Sequence, residues 1–355
     1  MPPLKNLRRL LLLPAALLAG CNTVLLNPSG DVAAQQGQLI IVSTVLMLLI
    51  IVPVIALTIY FAWRYRASNT QAEYAPDWDH STQLELVIWA APLLIIIALG
   101  AVTWISTHTL DPYRPLRRID ATRTVPAGTQ PLVVEVVALD WKWLFLYPEQ
   151  GIATVNELAA PVDRPISFKI TSTSVMNSFY IPALAGQIYA MPGMETKMHA
   201  VINAPGNYEG FSANYSGAGF SGMRFRFHGL SAADFEQWVQ KAKAEGKTLS
   251  RDGFLQLEKP SEREPVHHYA SVATGLYDAI LNRCVDSSKM CMKQMMAIDA
   301  AGGLAVAEAT TNVARKRTRA DDENSPTRSY VTALVCTADD PTGTAQVSRA
   351  VEAKP

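Results

Sequence analysis

The sequence predicts a membrane-anchored α+β protein: two transmembrane helices, then an external β-sandwich, then a small C-terminal helical segment. Three observations predict it. Residues 39–62 and 86–107 form runs of 24 and 22 residues without one Asp, Glu, Lys or Arg. From Pro131 to about His228, short β-rich runs are punctuated by Gly and Pro. Only 17 % of the 355 residues are charged, 31 basic against 31 acidic, where an ordinary soluble domain carries about 25 %. Zero net charge excludes a nucleic-acid binder working by bulk positive charge. A hydrophobic content of 49 % excludes a wholly disordered chain. Four cysteines are too few for a disulfide scaffold.

The elements follow in chain order. Lys5, Arg8 and Arg9 precede a short apolar stretch over 10–18, and Leu18-Ala19-Gly20-Cys21 closes it. A positive start, a short apolar run and small residues read as a secretory signal. The Leu-Ala-Gly-Cys run resembles the bacterial lipoprotein cleavage box. That resemblance implies a signal peptide over 1–20, removed to leave Cys21 carrying diacylglycerol and an acylated (palmitate-type) amino group. An ordinary signal peptide with a chance cysteine is the alternative. A lipidated start lies outside the cytoplasmic membrane, so 21–38 is an external segment and 39–62 the first span. Residues 63–85 are then a cytoplasmic loop and 86–107 the second span, leaving everything after His108 external. At 1.5 Å per residue either run extends roughly 33–36 Å, enough for a hydrocarbon core of about 30 Å. Pro53 and Pro92 are better tolerated in lipid than in water, and Tyr60, Trp63, Trp89 and Trp104 are placed as interfacial anchors. The positive-inside rule agrees only in part: Arg64 and Arg66 fall inside, but Arg114, Arg117, Arg118 and Arg123 follow the second span.

The external part reads first as strand. Residues 132–137 are short and β-branched, while 165–171, 197–202 and 223–227 alternate apolar with polar or basic residues. Short strands at even spacing with Gly/Pro turns indicate a sandwich or barrel over 124–230. Ser231 to Asp234 is a capping box opening a helix with Phe235, Trp238 and Val239 at helical spacing, and Gly246 is its expected C-cap. A second helix is expected from about Ser271 to Cys284, completing a helical, aromatic-containing segment over 231–285. From 300 to 355 the composition loses all period and reads as a disordered external tail.

Four stretches carry a specific resemblance: Asp140-Trp141-Lys142-Trp143 with the aromatics after it, residues 174–179, residues 187–194 and residues 215–223. Together with two preceding spans, they resemble subunit II of haem-copper respiratory oxidases, in the branch of bacterial bo-type ubiquinol oxidases, over about residues 21–285. On the residues alone, the stretch holding Trp141, Trp143, Phe145 and Tyr147 reads first as strand core plus partner packing. The resemblance implies a cupredoxin-like sandwich and a bacterial inner-membrane location with the large domain periplasmic. It further implies partnership with subunit I and other oxidase subunits. The implied activity is four-electron reduction of oxygen to water by ubiquinol, coupled to proton pumping.

In the cytochrome c-oxidizing branch this domain holds two copper ions on two thiolates, two imidazoles, a thioether and a backbone carbonyl, soft donors suited to copper. No cysteine stands between Asn22 and Arg283. Matched residue by residue, the first histidine falls on Asn177, the cysteines on Ser212 and Ser216, the glutamate on Asn214 and the second histidine on Phe220. Met223 alone is retained. The expectation is therefore no metal in this chain, no cytochrome c as partner, no catalytic residue here, and haems and copper in subunit I, which receives electrons directly from ubiquinol. The chain's own role is then assembly and shaping of the external face.

Glu85, at the start of the second span and four residues before Trp89, matches in position a family glutamate at the mouth of a proton-uptake path. A solvated charge favoured by the helix dipole is the alternative. His199 and His228 form no recognised site, His267-His268 are expected in solvent, and Cys284 and Cys291 could pair, leaving Cys336 over. Two other functional classes stand against the quinol oxidase subunit. One is a copper-carrying cytochrome c oxidase subunit, disfavoured by the missing thiolates. The other is an unrelated periplasmic lipoprotein that binds a partner or ligand.

Overall fold

The computed structural model describes residues 23–73, 75 and 77–300. Cys21, the signal segment and the tail beyond residue 300 lie outside the described residues. Helix α1 runs Asp31–Arg64 and α2 Thr82–Thr109. Both are long and apolar enough to cross a membrane, and their leucines, isoleucines and valines are exposed along most of their length. In water such a surface is a liability; in lipid it is the favourable one.

The first helix starts eight residues before the apolar run does, so residues 31–38 are its first turns rather than a separate segment. The cause is tertiary. Asp31 is buried at the helix start, where a carboxylate suits the dipole. It accepts hydrogen bonds from Arg118 Nε (2.8 Å) and Nη2 (2.9 Å) and from Gln35 Nε2 (2.8 Å). Gly30 donates its backbone N–H to Ala183 O at 2.8 Å, and a Cβ there would stand 2.6 Å from Leu184 O. The close approach requires glycine and seats the start of α1 against the sandwich.

Twelve strands follow. β1 (Leu132–Leu139), β2 (Lys142–Tyr147), β3 (Ile152–Val155), β5 (Ile166–Ser172), β8 (Thr196–Ala200), β11 (Lys247–Leu249) and β12 (His267–Val272) form one sheet in the order β11-β12-β3-β2-β1-β5-β8. β4 (Glu157–Pro161), β6 (Asn177–Tyr180), β7 (Ile188–Ala190), β9 (Gly206–Ser212) and β10 (Arg224–Leu230) form the second, ordered β4-β10-β9-β6-β7. Between the sheets lies an aromatic core. Trp143 meets Phe179 edge-on at 5.3 Å between ring centroids, Phe145 lies 5.0 Å from Phe225, and Phe179 stacks on Phe225 at 5.5 Å, separations typical of favourable aromatic pairs. Trp143, Phe145 and Tyr147 are thus core residues of the strand they sit on, whereas Trp141 is not.

The larger sheet is covered on both faces, which explains why β1 and β2 read as nearly continuous apolar runs. Leu132, Val134 and Val136 face the inter-sheet core. Val137, Leu139, Leu144 and Leu146 face a second core, closed by Leu249, Phe254, Leu276 and Ile280 of the C-terminal segment.

That segment is only partly helical. Helices α3 (Ala232–Ala244), α4 (Arg251–Leu257), α5 (Leu276–Leu281) and α6 (Met292–Ala300) alternate with β11 and β12. Ser231 caps α3 as expected, its Oγ accepting from Asp234 N at 3.1 Å. The helix expected over 271–284 shrinks to α5, because His267–Tyr269 pair with Val155–Ala153 and Val272 pairs with Leu249. Gly275, in the left-handed region at φ 69°, turns the chain into α5. Gly246 is not a left-handed C-cap. Its Cβ would stand 2.2 Å from Ala270 N, so it admits the backbone of β12. Cys284 and Cys291 form a disulfide with their Cα atoms 4.8 Å apart.

Candidate functional site

The six positions singled out in the sequence converge at one end of the smaller sheet. Asn177 opens β6 and Ser212 closes β9, and these strands pair antiparallel with Phe179 opposite Ser212. Ser212 Oγ donates to Asn177 Oδ1 at 3.1 Å, and Ser178 N donates to Ser212 Oγ at 3.4 Å. Asn177 Nδ2 donates to Val175 O (3.1 Å) and Asn214 Nδ2 to Met176 O (3.2 Å), lacing the 174–176 turn to the 212–216 loop. Ser216 Oγ lies 3.9 Å from Met223 Sδ, and Phe220 packs edge-on against Tyr215 at 5.6 Å. Asn177, Ser212 and Met223 are buried; Asn214, Ser216 and Phe220 are half-buried. Met223 packs in the inter-sheet core.

Trp141 roofs this loop, a role its residue type alone did not reveal. It sits in the β1–β2 turn at φ 66°, uncommon for a bulky side chain. Its Nε1 donates to Ser216 O at 3.0 Å. The indole lies on Gly217 and Gly219, where a Cβ would come within 3.2 Å and 2.5 Å of it. The two glycines of Gly217-Ala218-Gly219 were the available signal: a backbone that a flat side chain must approach closely.

The donor set does not fit copper. Two carboxamides, two hydroxyls and a phenyl ring surround one thioether, and the buried amide and hydroxyl are hydrogen-bonded to each other. Copper sites of this type require thiolate and imidazole. Among the described residues, no three His, Cys, Asp or Glu side chains are grouped to hold a metal.

Two further places carry chemistry. Glu85 lies in the first turn of α2, its Oε1 2.7 Å from His80 Nδ1, with both side chains about half exposed. His267 and His268 lie on β12 rather than beside a helix start, and His268 is not in solvent: its side chain is 12 % exposed. Its Nε2 is 2.7 Å from Glu157 Oε2 and its Nδ1 2.7 Å from Glu245 Oε2. Glu157 Oε1 also meets His228 Nε2 at 3.2 Å, and Trp238 Nε1 donates to Oε2 at 3.1 Å. One carboxylate thereby joins β4, β10, α3 and β12. Residues 71 to 111 positions from Glu157 converge on its carboxylate, so no local motif announces the cluster.

Residues 148–228 match the family model described as cytochrome c oxidase subunit II, periplasmic domain, and residues 243–288 match the COX aromatic-rich motif. The chain is 52 % identical over 281 residues to the cytochrome bo(3) ubiquinol oxidase subunit 2 of Pseudomonas aeruginosa, covering 79 % of this chain and 82 % of that one. It is 51 % identical to the ubiquinol oxidase subunit 2 of Acetobacter aceti, over 75 % of this chain and 84 % of that one. Identity is 39 % to the quinol oxidase subunit 2 of Bacillus subtilis, over 68 % and 74 %. The chain belongs to the ubiquinol oxidase subunit 2 family.

Proposed function

We propose that this chain is the non-redox subunit II of a proton-pumping ubiquinol oxidase, set in a bacterial inner membrane with its sandwich on the periplasmic side. Ubiquinol is oxidised, and oxygen reduced to water, at haems and copper in subunit I; this chain supplies no redox centre and no cytochrome c port. The observation that carries the reading is the donor set at Asn177, Ser212, Asn214, Ser216 and Phe220. A hydroxyl is a poor copper ligand at neutral pH and a phenyl ring offers no lone pair. With that port closed, electrons enter elsewhere in the complex. What remains at the site is a hydrogen-bonded plug, roofed by Trp141, that holds the end of the sandwich in shape for its partners.

The complex purified from its own membranes tests this directly. It is expected to oxidise ubiquinol, to leave reduced cytochrome c untouched, and to show no paramagnetic signal of a mixed-valence copper pair. That signal, or turnover on cytochrome c, refutes the reading. Isolation of the chain without any haem-bearing partner favours the lipoprotein binding module instead.

Two finer assignments belong to the same proposal. Cys21 is the lipidated N-terminus of the mature chain; labelled palmitate should enter the wild type and be absent from Cys21→Ser. Glu85 lies at the cytoplasmic mouth of a proton-uptake path, held by His80. Glu85→Ala should slow turnover while haem content and subunit ratio stay unchanged, and unaltered turnover removes the role.

A further inference from the structure

The four arginines that follow α2 stand on the wrong side for the positive-inside rule, and only part of that charge is absorbed by structure. Arg118 is spent on Asp31. Arg123 is spent on Asp120 (2.6 Å) and Asp163 (2.8 Å). Arg114 makes one side-chain hydrogen bond, to His108 O at 3.1 Å, and the Arg117 side chain makes none with another described residue.

Both residues line a cavity of about 360 Å³, within the size range of small-molecule sites. Its walls are the first turns of α1, the last residues of α2 with the linker after them, and the base of the sandwich at 185–187 and 198–199. Arg114, Arg117 and Arg118 line it together with Asp31 and Asp111. Asp31 is already neutralised by Arg118, so the free balance is positive. His199 also lines it; burial, with Lys197 nearby, lowers the pKa of its imidazole, favouring the uncharged hydrogen-bonding form. The rest of the lining is largely apolar, including Val32, Leu110 and Leu116. Below the cavity, the helix surfaces exposed to the surroundings are leucine, isoleucine and valine.

A pocket lined by two arginines that form no ion pair among the described residues, with apolar walls beside a transmembrane surface, has the chemistry of an anionic headgroup site. Arginine's planar fork matches phosphate in a bidentate way, and the apolar walls continue along the path that acyl chains would take. We propose that Arg114 and Arg117 bind a phosphate group at the outer membrane interface. Its position makes an outer-leaflet phospholipid the fitting source, seated between the external ends of α1 and α2 and the sandwich base. The bound lipid would tie the sandwich to its two anchors, and Asp111 stands ready for a headgroup amine. The depth assigned to the cavity rests on the topology proposed above.

The test uses the whole oxidase, delipidated in mild detergent and titrated separately with phosphatidylethanolamine, phosphatidylglycerol and inorganic phosphate, with bound lipid or anion counted by native mass spectrometry. Wild type should retain phospholipid. The double substitution Arg114→Gln with Arg117→Gln should weaken retention about tenfold or more, the scale of one lost charge-assisted hydrogen bond, while haem content and ubiquinol turnover in saturating lipid hold. Arg114→Lys with Arg117→Lys, which keeps the charge but loses the fork, should fall between them, and it serves if the glutamine pair fails to assemble. Retention of inorganic phosphate alone, with the same dependence on the two arginines, supports the phosphate site and assigns it to a soluble anion. Equal lipid retention by wild type and both variants overturns the proposal. Protease added outside spheroplasts checks the topology separately: if the sandwich is cleaved and lipid retention is unaffected by the variants, only the site falls.

Discussion

Glu157→Gln should loosen the C-terminal segment from the sandwich, and the size of the effect should depend on pH. Burial alone would raise the Glu157 carboxyl, but hydrogen bonds from His228, His268 and Trp238 outweigh it and hold the group at about 2. Against an ordinary value of 4.5, 1.36 kcal/mol per pH unit sets an upper bound of about 3.4 kcal/mol. Solvent reaches part of the cluster, the Glu157 side chain being 18 % exposed, which reduces the expected loss to about 1.5–2 kcal/mol. The sign is set by both partners. Glu157 has a depressed folded value, so its contribution is full above 4.5 and is lost as pH falls toward about 2. For His268, burial lowers the imidazole but the bonds to Glu245 and Glu157 win and raise it above 6.5. Its contribution is full below 6.5 and is lost as pH rises through the folded value. Both are complete only between about 4.5 and 6.5, and because they describe one interaction they do not add. Hydrogen exchange of residues 243–288 in the purified oxidase reads this directly. The gap in protection between wild type and Glu157→Gln should be widest near pH 6 and narrow at higher pH. A gap that is absent, or that stays equal at pH 6 and pH 9, refutes the reasoning.

Three further outcomes follow from particular contacts. Gly246→Ala places a Cβ 2.2 Å from the Ala270 backbone nitrogen, which cannot move without tearing β12 from β3; a cost of about 2–3 kcal/mol should appear as faster proteolysis between 245 and 275. Lys142→Met removes the buried ammonium that donates to Lys259 O (2.7 Å) and Ser261 Oγ (2.6 Å); the unpartnered carbonyl should cost about 1–3 kcal/mol, measured as a lower denaturant midpoint of the periplasmic part. Cys284→Ser opens the disulfide across a separation of seven residues; loop entropy sets the loss at about 2.5 kcal/mol, and matching reduction of the wild type should lower thermal stability by the same amount.

The transmembrane runs, the strand pattern, the Ser231 cap and the identities at the six converging positions are all local properties, and each was legible in the chain. A run without charge announces a helix in lipid whatever packs beside it. The absence of cysteine between residues 22 and 283 needs no coordinates. What escaped was long-range. The helix expected from about Ser271 starts late, because 267–272 is a strand: β3 offers an unpaired edge and Gly246 lets the backbone in. His268 lies in sequence beside a second histidine and a tyrosine, but only the fold brings it to Glu157, 111 positions away.

The sequence by itself determined where the chain is apolar enough to leave water and which donors are missing from a copper site, because both depend on residue type alone. Only the tertiary structure decided how those pieces are held together. It seats α1 on the sandwich through Gly30, ties it to the following linker through Asp31 and Arg118, and covers the larger sheet on both faces. It also leaves Arg114 and Arg117 under-used beside the outer ends of the helices. Each of these depends on which distant side chains meet, and pairings across 87 or 111 positions leave no period or spacing in the chain to read.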